Sequence, residues 1–405
     1  MKTNLHGISR FVAIIMLGGP AWSLWATGFR LPDQDAFATG RGEAFVATAD
    51  NPSAIYYNPA GISQLTGNDL RAGIYGIYLD PSYSPPAGGQ TYDNQLKYHA
   101  IPQFFYTYGK TNWPVSFGLG SYSPFGLGVI WPQNIPGGFR MAAIKGKLTT
   151  ETINPVIAIK LSPTLSIGGG VMVNYAKTDL QQGLSPVPNN DIFKFEGDGW
   201  DVGYNLGLLW QPQKKISFGA TFRSATTVNF NGQTEITGIG TTSANSQWSF
   251  PLEAVFGVSY RPTPKWNLEF DADYTDWSTL GTVNFNQTSA PFLAFSKPLD
   301  WESSWYFEWG ATRYFDNGWH VSAGYIFNEN SMPDANYSPL VTDLDRHFLS
   351  VGVGHKGKSF DFDIAYQFGF GPTRTVSGAT GPSAPANGDY TFISHAVSVS
   401  AGWHF

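Results

Sequence analysis

Ile393–Phe405, ISHAVSVSAGWHF, is the stretch whose reading decides the fold. One parity carries Ile393, Val397, Val399, Ala401, Trp403 and Phe405, interrupted only by His395; the other carries Ser394, Ala396, Ser398, Ser400 and Gly402. A period of two is the mark of a strand. An apolar face opposite a small, polar one suits a barrel wall, with lipid outside and a polar lumen inside. Phe360, Phe362, Ile364, Tyr366 and Phe368 stand against Asp361, Asp363 and Gln367 in the same way. So do Trp266, Leu268, Phe270, Ala272 and Tyr274 against Asn267, Glu269, Asp271 and Asp273. A soluble sandwich also alternates, so the period alone leaves both architectures open.

Composition narrows the choice. The 405 residues include no cysteine, only 13% charged residues and 16% aromatics, which excludes a disulfide frame, a thiolate metal site and a disordered chain. A net charge of −6 without a basic run argues against a nucleic-acid partner. Residues 1–26 read as a secretory signal: Lys2 and Arg10, then apolar Phe11 to Gly19, then a break at Pro20. Cleavage is expected after Ala26, with Ala21 as the competing site. No later run is long and apolar enough for a transmembrane helix. A chain that spans lipid without helices must be a closed barrel.

The connections decide for the barrel. Strands are expected at about 68–80, 97–109, 112–122, 146–161, 164–180, 197–212, 214–231, 247–261, 264–286, 301–315, 318–328, 345–356, 358–373 and 389–405. Short turns such as Gly109-Lys110-Thr111 and Pro262-Thr263 alternate with long loops at 81–96, 123–145, 181–196, 232–246, 287–300, 329–344 and 374–388. Short periplasmic turns and long extracellular loops are the habit of outer-membrane barrels. The expected fold is therefore all-β: a transmembrane antiparallel barrel of about 14 strands spanning 67–405, in a bacterial outer membrane with its lipids and lipopolysaccharide. The ending on Phe405 is similar to the C-terminal signature read by the barrel-assembly machinery, an expected partner.

Residues 27–66 do not alternate. ATGRGEAFVATADNPSAIYYNPAGISQL, Ala38 to Leu65, is small-residue-rich and carries two Asn-Pro steps. Between an export signal and the first strand it reads as a plug in the lumen. With it in place the chain resembles the FadL/TodX family of outer-membrane channels for long-chain fatty acids and hydrocarbons. The resemblance rests on Gly28-Phe29, Gly40-Arg41-Gly42-Glu43-Ala44, Ala49-Asp50-Asn51-Pro52-Ser53, Tyr57-Asn58-Pro59-Ala60, Ser123-Pro124-Phe125-Gly126 with Arg140, Gly203 to Gly207, and Asp273 to Ser278. It implies a 14-stranded barrel with an N-terminal hatch, capture between extracellular loops, a luminal site, and lateral exit at a kink in the third strand. Gly118, Gly120 and Pro124 are the expected kink. The competing reading makes these glycines small inward residues beneath the plug.

A fatty acid needs a cation in an apolar pocket. Arg346 and Arg223 fall on the luminal parity and Arg140 lies in the loop after the third strand, although any of them could instead pair with Glu253, Glu269, Asp271, Asp273, Asp361 or Asp363. Trp131, Phe139 and Phe292 are candidates for an apolar capture groove, or for a closed loop core. Asp50, Asn51, Asn58, Pro59 and Ala60 are the expected gating residues of the plug, with local capping as the alternative. No His, Cys or carboxylate spacing supports an enzyme, a cofactor or a metal. The expected activity is passive uptake of hydrophobic small molecules by a porin-like monomer, fatty acids first. Aromatic or alkane hydrocarbons are the alternative, and a structural or adhesive barrel with a closed lumen is the distant one.

Overall fold

The computed structural model describes residues 28–287 and 294–405. The expected signal segment and Phe292 lie outside them. Fourteen antiparallel strands form the wall. They are β1 (Gly67–Leu79), β2 (Tyr98–Gly109), β3 (Val115–Tyr122, resuming at Gly126–Ile130), β4 (Lys145–Ser162), β5 (Leu165–Gly183) and β6 (Ile192–Gln213). Next come β7 (Ile216–Arg223 and Thr226–Ile236), β8 (Gly240–Phe250 and Glu253–Tyr260), β9 (Trp266–Thr275 and Thr282–Gln287) and β10 (Phe295–Pro298 and Ser304–Tyr314). β11 (Trp319–Asn328), β12 (Arg346–Lys356), β13 (Phe360–Phe370) and β14 (Ile393–His404) complete the circuit. β1 pairs with β14 from Asp69↔His404 to Leu79↔Ser394, so the sheet closes on itself. No helix among the described residues is long and apolar enough to cross a membrane; closure satisfies the backbone instead.

The parity read from the sequence is the parity of the wall. Ile364, Val397 and Val399 are exposed on the outside, while Asp363, Ser398 and Ser400 are buried within. Trp113, Trp210, Tyr260, Trp266, Trp319 and Trp403 are exposed near the short-turn rim, where an aromatic girdle belongs.

Two expected loops are largely strand. Within 232–246, β7 and β8 stay paired from Thr226↔Phe250 to Ile236↔Gly240. Within 181–196, β5 and β6 pair as far as Gly183↔Ile192. Alternation persists above the bilayer, but the outward side becomes polar (Asn229, Asn231, Gln247) while Phe230 and Trp248 still point inward. Outward apolarity is a test for lipid contact, not for strand. A four-stranded sheet of Arg374–Val376, Gly388–Thr391, Ser82–Ser84 and Tyr92–Asp93 joins the first and last long connections over the extracellular mouth.

Residues 28–66 fill the lumen. They form α1 (Ala36–Gly40), α2 (Ala54–Tyr57) and a 3-10 turn at Pro59–Gln64. The Ala36 N–H donates to Ser400 Oγ on β14, Ser217 Oγ on β7 donates to the Ala47 carbonyl, and Asn205 Nδ2 on β6 donates to the Ile55 carbonyl. One short segment can touch strands around the whole circumference only from inside. The wall is glycine-lined where the backbones meet: a Cβ at Gly168 or Gly207 would collide with Pro59 and Ala60.

Candidate functional site

The wall is interrupted between β2 and β3. Their pairing runs from Gly109↔Ser116 to Phe104↔Ser121 and then stops, and Gln95 N to Ile130 O at 2.8 Å is the next bond between them. Opposite β4, the register of β3 shifts by one residue, from Tyr122↔Thr152 to Gly126↔Thr149. That is a β-bulge, and it bends β3 away from β2. Leu79 N donates to Lys97 O, so the odd-numbered residues of β2 bond to β1 and the even-numbered ones face β3. Pro102 sits on the gap side and has no N–H to leave unpaired there. The freed edge of β3 is taken by the plug: Leu31 N donates to Pro124 O at 2.8 Å and Gly126 N to Phe29 O at 2.9 Å.

The break sits at Ser123-Pro124-Phe125, which corrects the expected kink. Pro124 belongs to it. Gly118 and Gly120 do not; they pair regularly with Thr107 and Phe105, and a Cβ on either would meet the Ile55 side chain of the plug. They are small because the plug lies over them.

A cavity of about 650 Å³ opens at this gap. Luminal Tyr75, Ile326, Phe348 and Phe392 line it, and so do Lys147, Thr149 and Glu151 on the outward parity of β4. The cavity is thus lined from both faces of the wall. Arg346 stands at its luminal end. The guanidinium lies 4.3 Å from the Phe392 ring centroid, and Nη2 donates to the Thr342 carbonyl at 2.5 Å. Its buried Nε has no hydrogen-bond partner, and no carboxylate lies within ion-pair distance among the described residues. Asp343, in the adjoining loop, is pushed above the usual carboxylate range by burial, with Arg346 and Arg374 pulling the other way.

The other two candidate arginines are committed elsewhere. Arg223 binds Glu253 at 2.6 Å, donates to the Tyr56 carbonyl of the plug and lies 3.9 Å from the Tyr56 ring centroid. Arg140 is held by Asp191 at 2.7 Å and by the carbonyls of Ser185, Val187 and Asn189. Both are structural ties: Arg223 pairs with one of the luminal carboxylates the sequence offered as its alternative partners, whereas Arg140 is tied to Asp191 of an extracellular loop, which was not among them. Trp131 and Phe139 are buried in the extracellular cap, with Trp131 Nε1 on the Pro339 carbonyl and Phe139 against Tyr83 at 4.3 Å. They form a loop core and are not displayed in an open groove.

The gating candidates divide. Asn58 is buried; Nδ2 donates to the Val46 carbonyl at 2.8 Å and to Leu208 of the wall at 3.0 Å, while Oδ1 accepts from Ala60 N. Pro59 and Ala60 press on Gly168 and Gly207. Asp50 reaches Arg261 at 3.5 Å, whereas Asn51 caps Ser53 and also touches Asp35.

The strongest ties to the plug were missed. Asp271 accepts from the Phe45 and Val46 N–H groups, and Glu269 accepts from Ala47 N, Thr48 N and the Arg41 guanidinium. Arg30 bridges Asp273 at 2.5 Å and Glu253 at 3.2 Å. Arg71 of β1 joins Asp35 of the plug to Asp361 and Asp363. The luminal carboxylates were legible by parity; their partners required the closed barrel.

Against known proteins, residues 19–405 match the model of a family described as outer membrane protein transport protein (OMPP1/FadL/TodX). The long-chain fatty acid transport protein of Salmonella typhi is 25% identical over 91% of this chain and 93% of that relative. The 47 kDa outer membrane protein of Pasteurella multocida is 26% identical over 86% and 88%. Among solved structures, a Pseudomonas aeruginosa FadL homologue superposes with a TM-score of 0.82 at 18% identity, covering 94% of this chain and all of that one. The Pseudomonas putida toluene transporter TodX gives 0.74 at 16% identity, covering 93% and 99%. A family match across nearly the whole chain, on a barrel whose lumen holds the expected plug, has one reading. The chain belongs to the FadL/TodX family and is a transport channel of the outer membrane, not an enzyme.

Proposed function

We propose that this channel takes up hydrophobic small molecules that carry a carboxylate, long-chain fatty acids first. One observation carries the reading: a mostly apolar cavity lined from both faces of the wall has at its luminal end an arginine without a carboxylate partner. At about 650 Å³ the cavity lies within the range of small-molecule sites. A ligand carboxylate would supply the acceptor that the buried Nε of Arg346 lacks, and charge-assisted hydrogen bonds of this kind are the strong ones. The tail would lie along Phe348, Phe392, Ile77 and Leu127. The fatty-acid names of the Salmonella relative and its kin support the same class.

Movement is passive. Ligand enters from the extracellular loops, rests at Arg346, and leaves sideways where β2 and β3 part. The plug couples to this step because Phe29–Leu31 occupies the edge that β3 turns to the gap, and Asn58 to Ala60 anchor the same plug to β5 and β6. The signal segment is removed on export, and the barrel works as a monomer.

The test is uptake of a labelled long-chain fatty acid and of toluene by cells carrying Arg346→Glu. Fatty-acid uptake should fall while toluene uptake persists. Equal loss of both would point to a damaged pore, and unchanged fatty-acid uptake would remove Arg346 from the site. A hydrocarbon channel is the second reading, favoured by the fold shared with the toluene transporter and by a cavity wall that is mostly apolar.

A further inference from the structure

The periplasmic rim has a charge distribution that transport does not use. Lys110 lies in the β2–β3 turn, Lys214 and Lys215 in the β6–β7 turn, and Lys356 and Lys358 at the β12–β13 turn; all five are exposed. None of the five ion-pairs with a carboxylate among the described residues. The acidic groups at this level are few and engaged: Asp316 with Lys265 at 2.5 Å, Asp50 with Arg261 at 3.5 Å, the buried Asp69 with His404, and Asp361, opposite Lys356 in the register of β12 and β13, with Arg71 and His404. A chain with a net charge of −6 thus presents a basic collar on one rim.

The collar coincides with the lower aromatic girdle. Lys110 Nζ lies 5.2 Å from the Trp113 ring centroid, and the Arg313 guanidinium 5.1 Å from that of Trp266. Trp113 and Trp266 are themselves exposed on the outward face. Aromatic rings of this kind mark the headgroup level of the bilayer. Lys110 and Arg313 therefore sit at the level of phospholipid phosphates with their heads over rings of the girdle, and Lys214, Lys215, Lys356 and Lys358 lie on turns of the same rim. They are also spread around the circumference, on turns separated by several strands. A protein partner would need them gathered on one face; a lipid leaflet meets all of them at once.

We propose that the periplasmic rim is an anionic-lipid collar: its turns, from Lys110 round to Lys358, select phospholipids with a net negative headgroup in the leaflet facing the periplasm. A cluster of basic side chains beside an anionic surface gains electrostatic attraction from each of its charges.

The experiment uses the full-length folded protein in nanodiscs of mixed phosphatidylglycerol and phosphatidylethanolamine, with the lipids retained after mild detergent extraction identified by native mass spectrometry. Wild-type protein should retain phosphatidylglycerol above its bulk fraction. The variant Lys110→Gln, Lys214→Gln, Lys215→Gln, Lys356→Gln, Lys358→Gln should lose that enrichment by at least about fivefold, the effect of a single charge near an anionic surface. The matching Lys→Arg variant should keep it, and so should Lys97→Gln with Lys177→Gln at the other end of the barrel. Heat-modifiable electrophoretic mobility confirms that each variant is folded; should the glutamine variant not fold, raising the salt on wild-type protein must remove the enrichment. Equal retention of both lipids by wild type overturns the proposal. Enrichment that survives in the glutamine variant does so too, as does enrichment that is lost equally with the Lys97 and Lys177 pair.

Discussion

The lower and upper halves of the lumen are built on opposite principles. Below, residues 33–62 are wired to the wall by buried charge: Arg41 to Glu269, Arg71 to Asp35, and four consecutive plug N–H groups, from Phe45 to Thr48, to Asp271 and Glu269. Above, the cap is an apolar cluster of Trp131, Phe139, Tyr83, Tyr337 and Tyr390, and the cavity beneath it is lined by Arg30, which has two ion pairs, and by Arg346, which has none among the described residues. Buried ion pairs hold geometry, since breaking one leaves an uncompensated charge. Apolar contacts slide more readily because they have no direction. The difference teaches where such a plug can yield. Its body is fixed by these ties, and we propose that what freedom it has lies with Phe29–Leu31 at the gap, where Arg30 is the one ion-paired residue.

Removing a charge from the fixed half should give the largest effect. Glu269→Ala strips the acceptor from Arg41, Ala47 N and Thr48 N, and leaves the guanidinium buried. The expected loss is about 3–5 kcal/mol, read as a lower temperature for conversion of the heat-modifiable band. An unchanged transition would mean that the lower half is not held by charge.

Arg346→Glu tests the other half. Loss of a charge-assisted hydrogen bond of about 1.5–3 kcal/mol corresponds to roughly a 10- to 100-fold weaker fatty-acid site, seen in equilibrium binding to the detergent-solubilised protein. Barrel stability should be unaffected, and a large drop in it would erase the contrast between the halves.

Asn58→Ala lies on the boundary. It leaves the Val46 and Leu208 carbonyls without their donor, a cost of about 1–3 kcal/mol that should appear as faster amide exchange in residues 46–60 with the barrel intact. Exchange confined to residues 28–32 would instead place all of the plug's freedom at the gap.

The smallest effect concerns pH. Ser185 and then the Arg140 guanidinium hold Asp191 below the usual carboxylate range. A depressed folded value means that the tie contributes above the unfolded value and is lost as pH falls through the folded one. Limited proteolysis of the 184–191 loop should therefore be flat from about pH 8 to about pH 5 and rise only below about pH 4. Loosening near neutral pH would show that another group controls this loop.

How much of this could be read in advance varies with the range of the interaction. The inward parity of Glu269, Asp271 and Asp273 was plain, but their partners Arg41 and Arg30 lie more than two hundred residues away in the chain. Arg223 and Arg346 share the luminal parity, and only the place of Arg346 at the start of its strand beside the 329–344 loop set it apart; parity tells which face a side chain occupies and not what it meets there. Gly118 and Gly120 looked like a kink because strand glycines mark either a bend or a close neighbour, and here the neighbour is Ile55. The bulge itself had its signal in Pro124, yet the matching device, Pro102 on the edge of β2, drew no attention: its significance depends on which neighbour its missing N–H would have faced.

The sequence by itself determined the barrel, its strand number, the membrane face of each strand and the existence of a plug. Those are local properties: a period of two, a turn or loop length, an apolar or polar side chain. Tertiary structure alone decided which of the three candidate arginines stays without a carboxylate partner and where the pairing of the wall breaks. Both follow from register between strands far apart in the chain, and register is set only when the last strand closes on the first.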